Sequence, residues 1–425
     1  MLAFFMPCRR LAGCLLFVVI WGAGIAFGGR HLGAAEREVD AVVALPLQWT
    51  IEPVSGVSAF SSGASQAIGQ PAQGDATHLK FAFTPVGTLL GLQSSNPALY
   101  GKVTDGFTAA GAYWASQFRD PITINVALDF PALAVGTLGS TTTQSLSISY
   151  ANVRTALLFD QTSATDLVAT ANLPVGNSLS FLTNKESNGA LEIDANGTAN
   201  NTVLEVPRGN AKALGFSAVG ILAPNDAVRD ATVSLSSNYS WDFDRSNGIA
   251  AGTYDFVGIA IHELGHTMGF SSGVDTVDFV SAPYGNAQYL GTELDSYAVF
   301  SVLDLYRYGA RNGGGLDFAT GGTGASNPFF SIDGGVTPLG TFATGKFNGD
   351  GRQASHWKDN LGLGILDPSF APGELGIVTA LDVQVFDAIG FDLVIVPEPA
   401  AAAFLLPAFA AALFARRAGG SRRRV

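Results

Sequence analysis

The stretch DFVGIAIHELGHTMGFSSGVD, residues 255–275, sets His262 and His266 four residues apart with Glu263 beside the first. On a helix that spacing puts both imidazoles on one face, a turn apart, where together they can hold one metal ion. Two neutral imidazoles suit zinc, at bond lengths of about 2.0–2.1 Å. Glu263 then stands where it can take the proton of a water that the metal acidifies. With five histidines in 425 residues, chance supplies this His-Glu-x-x-His spacing only about 0.001 times. Apolar Phe256, Ile259 and Ile261 and the following Gly269 argue for a packed helix rather than a solvated one.

A catalytic zinc takes three protein ligands and keeps a fourth position open. Cys8 and Cys14 are the only cysteines and both fall in an N-terminal apolar stretch. Without that stretch there is no thiol or disulfide chemistry, and no cysteine to silence a metal. His31 also lies near the N-terminus, which leaves His78 and His356 as third-ligand histidines. His356, in Gln353-Ala354-Ser355-His356-Trp357-Lys358, has the better context; His78, in an Ala/Gly/Gln-rich stretch, reads as exposed. Asp275, soon after the helix, is a rival carboxylate.

The formal charge of −12 is unevenly placed. Arginines cluster before residue 36 and after residue 415, so the intervening body is more acidic than the whole. Such a body gives no reason to expect a nucleic-acid partner or an affinity for anionic lipid. At the N-terminus two arginines precede LAGCLLFVVIWGAGIAF, and Gly33-Ala34-Ala35 supplies small residues before Glu36. This reads as a secretory signal peptide over 1–35. At the other end Val396-Pro397-Glu398-Pro399 leads into an apolar stretch and an arginine cluster.

The body carries period-2 alternation at 122–128, 146–150 and 230–236, which predicts strands. The polar face of 230–236 marks it as a sheet edge, where an extended substrate can pair. Helices are predicted from Thr104 to Phe118, Asn152 to Thr170 and Asp255 to Phe270, and from an N-cap at Thr379 to a stop at Gly390. Residues 36–103 are Ser/Gly/Ala-rich and form an N-terminal segment of uncertain structure, while 271–355 are Gly- and Phe-rich with little regular structure expected. Asn348-Gly349-Asp350-Gly351 reads as a tight turn, with calcium binding as the alternative. Tyr306 and Tyr308 read as packed aromatics rather than oxyanion donors, and Trp241-Asp242-Phe243-Asp244 as loop and core packing.

The run from His262 to Ser271, HELGHTMGFS, resembles the active-site helix of the metzincin zinc proteases. Many of those proteases place a third ligand three residues past the glycine, where this chain has Ser272. The leishmanolysin-like branch instead uses a distant histidine in a Ser-His-Trp context, which Ser355-His356-Trp357 resembles. The resemblance thus implies His262, His266 and His356 as metal ligands and Glu263 as the catalytic base. The floor beneath the zinc is usually a methionine, and the matching position here is Leu366. That swap conserves volume and usually costs less than about 1.5 kcal/mol. The C-terminal Pro-Glu-Pro, apolar segment and arginines resemble the PEP-CTERM sorting signal of Gram-negative bacteria, processed by an exosortase-type enzyme. LDLYRYGAR (303–311), FFSIDGG (329–335), GDGRQASHWKDN (349–360) and GILDPSFAPGE (364–374) are similar to exported bacterial metalloproteases that carry this signal.

The resemblance implies an α+β, metzincin-like fold of two subdomains, with a twisted mixed sheet and the active-site helix. Residues 104–269 would form the N-terminal catalytic subdomain, 270–395 the C-terminal one with the third ligand, and 396–425 the sorting signal. The implied function is a zinc-dependent endopeptidase with one catalytic Zn2+ and a protein or peptide substrate. It would be exported to the cell surface or matrix, touching the membrane only transiently through its terminal signals. A non-catalytic zinc-binding surface protein on the same fold is the alternative.

Overall fold

The computed structural model describes residues 49–53, 78–217, 222 and 228–394. The expected signal peptide and sorting signal lie outside the described residues, as does most of 36–77. The architecture is α+β, as expected, and its main element is a six-stranded mixed sheet. In chain order its strands are β1 (Trp49–Pro53), β2 (Lys80–Pro85), β3 (Thr123–Asp129), β4 (Gly139–Thr143), β5 (Ala231–Leu235) and β6 (Ser369–Phe370). Across the sheet they run β6-β1-β4-β5-β3-β2. Strands β2, β3 and β5 are parallel, β4 is antiparallel to β5 and to β1, and β1 is parallel to β6.

The expected edge at 230–236 is therefore an interior strand. Val233 of β5 pairs with Leu128 on one side and Thr141 on the other. Ala231, Val233 and Leu235 are buried as the alternation indicates. Alternation reports which face of a strand is covered, not whether it has a neighbour on each side.

Three helices position the site. Helix α1 (Pro97–Gln117) begins two turns before the expected Thr104. Asn96 caps it by accepting from the Leu99 N–H at 3.2 Å, and Pro97 sits in the first turn. There a missing N–H costs nothing, because the first N–H groups of a helix have no partner within it. The Thr104 hydroxyl instead donates back to the Tyr100 and Gly101 carbonyls. Helix α2 (Phe256–Met268) carries the His-Glu-x-x-His pattern. Asp255 caps its N-terminus through the Gly258 N–H, and Gly269 ends it at φ 115°, a left-handed conformation that favours glycine. Helix α3 (Ala380–Ala388) starts at a capping box of Thr379 and Asp382, as the sequence indicates. The helix expected over 152–170 is two helices, Tyr150–Phe159 and Ala164–Ala171, because Ser163 and Asp166 form a capping box that restarts the chain.

The core joins these elements through aromatic rings. The Trp114 indole of α1 donates to the Ile261 carbonyl of α2 at 2.9 Å and meets Phe386 of α3 edge-on at 4.8 Å. Trp241 and Phe243 pack on Phe256, 5.4 and 4.6 Å between centroids, so the Trp-Asp-Phe-Asp string is core packing. The Phe-rich region beyond α2 holds three two-residue strands, Arg307–Tyr308, Phe329–Phe330 and Gly340–Thr341, around Phe330, Phe342 and Trp357. Tyr306 is a buried member of that packing, edge-on to Phe330.

Carboxylates gather where α1 and α3 end. Burial, then the neighbouring Asp392, push Asp120 up to about 8. Burial and the charges of Asp392, Asp120, Asp166 and Asp387 push Asp160 up to about 9. Both values lie above the unfolded carboxylate range, so the native state holds protons that the unfolded state has released. This contribution to stability is complete below about pH 4 and is lost as pH rises towards 8–9. Replacing both residues with asparagine is expected to flatten the fall of melting temperature between pH 6 and 9. Equal slopes for the two proteins would contradict it.

Candidate metal centre

Helix α2 presents His262, Glu263 and His266, all fully buried. The chain returns His356 to them from a loop 90 residues beyond His266. The ligand-type nitrogens of His262, His266 and His356 lie within 4.8 Å of one another. The His356 ring is 5.2 Å from that of His262 and 5.0 Å from that of His266, centroid to centroid. Among the described residues this is the one such cluster, and neither His78 nor Asp275 belongs to it.

Each ring is oriented by a backbone carbonyl at its Nδ1. His262 faces the Ile365 carbonyl at 2.8 Å, His266 the Phe270 carbonyl at 2.6 Å and His356 the Gln353 carbonyl at 3.2 Å. A carbonyl only accepts, so Nδ1 carries the proton in each ring and Nε2 presents its lone pair. The Nε2 atoms of His262 and His266 face each other at 3.1 Å. Two lone pairs at that distance repel unless a cation lies between the rings. His356 Nε2 is buried with no hydrogen-bond partner. Burial and mutual repulsion hold the pKa of His262 and His356 well below the usual histidine value, and burial brings His266 down to about 4. All three are neutral at pH 7, the form that ligates metals. The residues therefore fit a metal ion held by three imidazoles.

Glu263, next to His262 on α2, has its two oxygens in different situations. Oε2 accepts from the Thr141 hydroxyl at 2.5 Å, whereas Oε1 is buried without a partner. Burial, only partly offset by the Thr141 hydrogen bond, pushes the carboxyl up to about 8. Strand β4 crosses directly over it: a Cβ added to Gly139 would lie 2.2 Å from Oε1. Glycine at 139 is what lets the backbone approach the carboxylate this closely.

The surrounding groups hold the three histidines in place. Leu366, expected at the floor, is buried and packs against α2: a Cβ on Gly265 would meet its Cδ1 at 3.2 Å. Asp382 of α3 accepts from the Trp357 indole at 2.8 Å and from the Ile365 N–H at 2.9 Å. One buried carboxylate thus anchors both the residue after His356 and the residue whose carbonyl orients His262. Ser272 donates to Asp304 at 2.5 Å, so this side chain braces the turn after α2. Asp350 is paired with Lys358 at 2.8 Å, and residues 346–351 form a bend closed by the Gly345–Arg352 bridge, wider than the tight turn expected.

Asp275 holds the loop that carries His356. It accepts from the Ala354 N–H at 2.6 Å, the Ser355 N–H at 3.1 Å and the Ser355 hydroxyl at 2.5 Å. Partners that orient a metal ligand typically contribute 10–100-fold to affinity. Asp275→Ala is expected to weaken metal binding by about that factor, well short of losing a ligand. Competition titration with a chromogenic chelator measures this. Complete loss of metal would make Asp275 a ligand.

No family model, curated protein or solved structure matches the chain.

Proposed function

We propose that the protein is a zinc-dependent endopeptidase in which His262, His266 and His356 hold the ion and Glu263 is the proton carrier. The observation that carries this reading is the convergence of three imidazoles, with Glu263, whose Oε1 is buried and unpartnered, next to His262 on the same helix. Zinc, when bound, supplies Lewis acidity towards a carbonyl oxygen and brings the pKa of water to about 7. A cation on the histidines would favour the ionised form of Glu263 over the protonated form that burial alone favours, and Oε1 would then take a proton from the attacking water and return it to the departing amine. Thr141 holds the other oxygen, so the carboxylate keeps one orientation through both transfers. Three neutral ligands leave the ion its full charge, and the Nδ1 contacts keep each ring in register. A protein that merely stored zinc would have no use for a carboxylate desolvated at this point.

The likeness to metzincins and to exported proteases with a C-terminal sorting signal supports the same reading and an exported location. The test uses zinc-loaded protein and a reduced, carboxymethylated protein substrate, with new amino termini counted by a fluorogenic amine reagent. Hydrolysis that a chelator removes and stoichiometric zinc restores is expected. A zinc-replete protein that releases no amino termini, whether intact or with strand β1 displaced, would contradict the proposal.

A further inference from the structure

The sheet order places the chain's own N-terminal strand beside the site. Strand β1 pairs antiparallel with β4, Trp49 opposite Thr141, Thr50 opposite Ser140 and Ile51 opposite Gly139. On its other side β1 pairs parallel with β6, Glu52 opposite Ser369 and Pro53 opposite Phe370. Both flanks belong to the metal centre. Thr141 bonds Glu263 and Gly139 abuts its free oxygen. Phe370 stands edge-on to His262 at 6.4 Å between centroids. Five extended residues therefore pass from the strand that touches the proton carrier to the strand that touches a metal ligand.

We infer that Trp49–Pro53 occupies the strand slot through which an extended polypeptide reaches Glu263 and the histidines, and so holds the chain in a latent state. The inference rests on the endopeptidase reading for its consequence, but the slot itself rests on strand pairing. Recognition through backbone hydrogen bonds to a strand tolerates varied side chains, which suits a peptide substrate of open sequence. With β1 in place, the side of β4 away from β5 is already paired and cannot accept a second strand. The site matches a closed state, since His262, Glu263, His266 and His356 are all fully buried. No cysteine follows residue 14, so a thiolate on the metal cannot supply latency. Pro53 is joined to His78 through residues 54–77. While β1 is bound, only the small open fraction of molecules can turn over substrate.

The test compares the zinc-loaded full chain with the double variant Thr50→Pro/Ile51→Pro. Adjacent strand residues aim their N–H groups to opposite sides, so the pair removes one donor from each flank. Two readouts are taken: turnover of the unfolded protein substrate, and binding of a fluorescein-labelled extended Ala-Val-Ser-Val-Ala peptide to metal-free protein. At least tenfold tighter peptide binding and at least tenfold faster turnover are expected. Equal peptide affinity in the two chains would overturn the inference and make β1 a permanent structural strand. Tighter binding with no hydrolysis in either chain would keep the slot and remove the endopeptidase reading. If the double variant does not fold, a protease recognition sequence inserted between Gly63 and Ala64 is cut after folding, and the same two readouts apply.

Discussion

His356→Ala is expected to strip zinc from the protein and end hydrolysis with it. His262 and His266 share one helix, and among the described residues it is the loop at 354–356 that brings a third imidazole from outside that helix. Alanine leaves two imidazoles, and Ser272, the nearest alternative by sequence, is engaged with Asp304. The expected loss of affinity exceeds the roughly 10–100-fold that an orienting partner contributes. Zinc per chain after dialysis against a weak chelator checks it. A His356→Ala protein that keeps its zinc while Asp275→Ala loses it would transfer the third position to the carboxylate.

Glu263→Gln should keep zinc yet lower hydrolysis by at least about 10²-fold, the low end for a positioned proton carrier. Glutamine has the same shape, and its carbonyl oxygen can accept the Thr141 hydroxyl as Oε2 does. What it lacks is an atom that can take a proton from water. Full zinc content with a lost kcat is the expected pair of results. Loss of zinc would make Glu263 a ligand, and unchanged kcat would remove it from the reaction.

The centre was legible in the sequence where chemistry is carried by rare residues at fixed spacing. Helix α2 shows its histidines one turn apart, and the scarcity of histidine left few claimants for the third position. Leu366 was legible by position, and Gly265 packs on it. The neighbours that orient the site were not legible, because they come together only through the fold. Thr141 lies 122 residues from Glu263 and is one threonine of the run Thr141-Thr142-Thr143. Asp275 reads as a rival ligand in the sequence because a carboxylate near a metal motif has two uses, to ligate and to anchor backbone, and sequence does not separate them. The strand at 230–236 was found, but its neighbours were not, since pairing depends on β4 and β3 arriving on either side. Strand β1 lies in the N-terminal segment whose composition leaves its structure uncertain, and its pairing comes from partners at 139–141 and 369–370. The start of α1 was missed although Asn96-Pro97 is a legible signal, a capping side chain followed by a residue suited to the first turn.

The central claim is that one zinc ion sits on three imidazoles. X-ray absorption at the zinc edge of the zinc-loaded protein tests it most directly. The account requires three nitrogen neighbours at about 2.0–2.1 Å and one further light ligand. A shell of two nitrogens completed by carboxylate oxygens, or one made of oxygens alone, would contradict it.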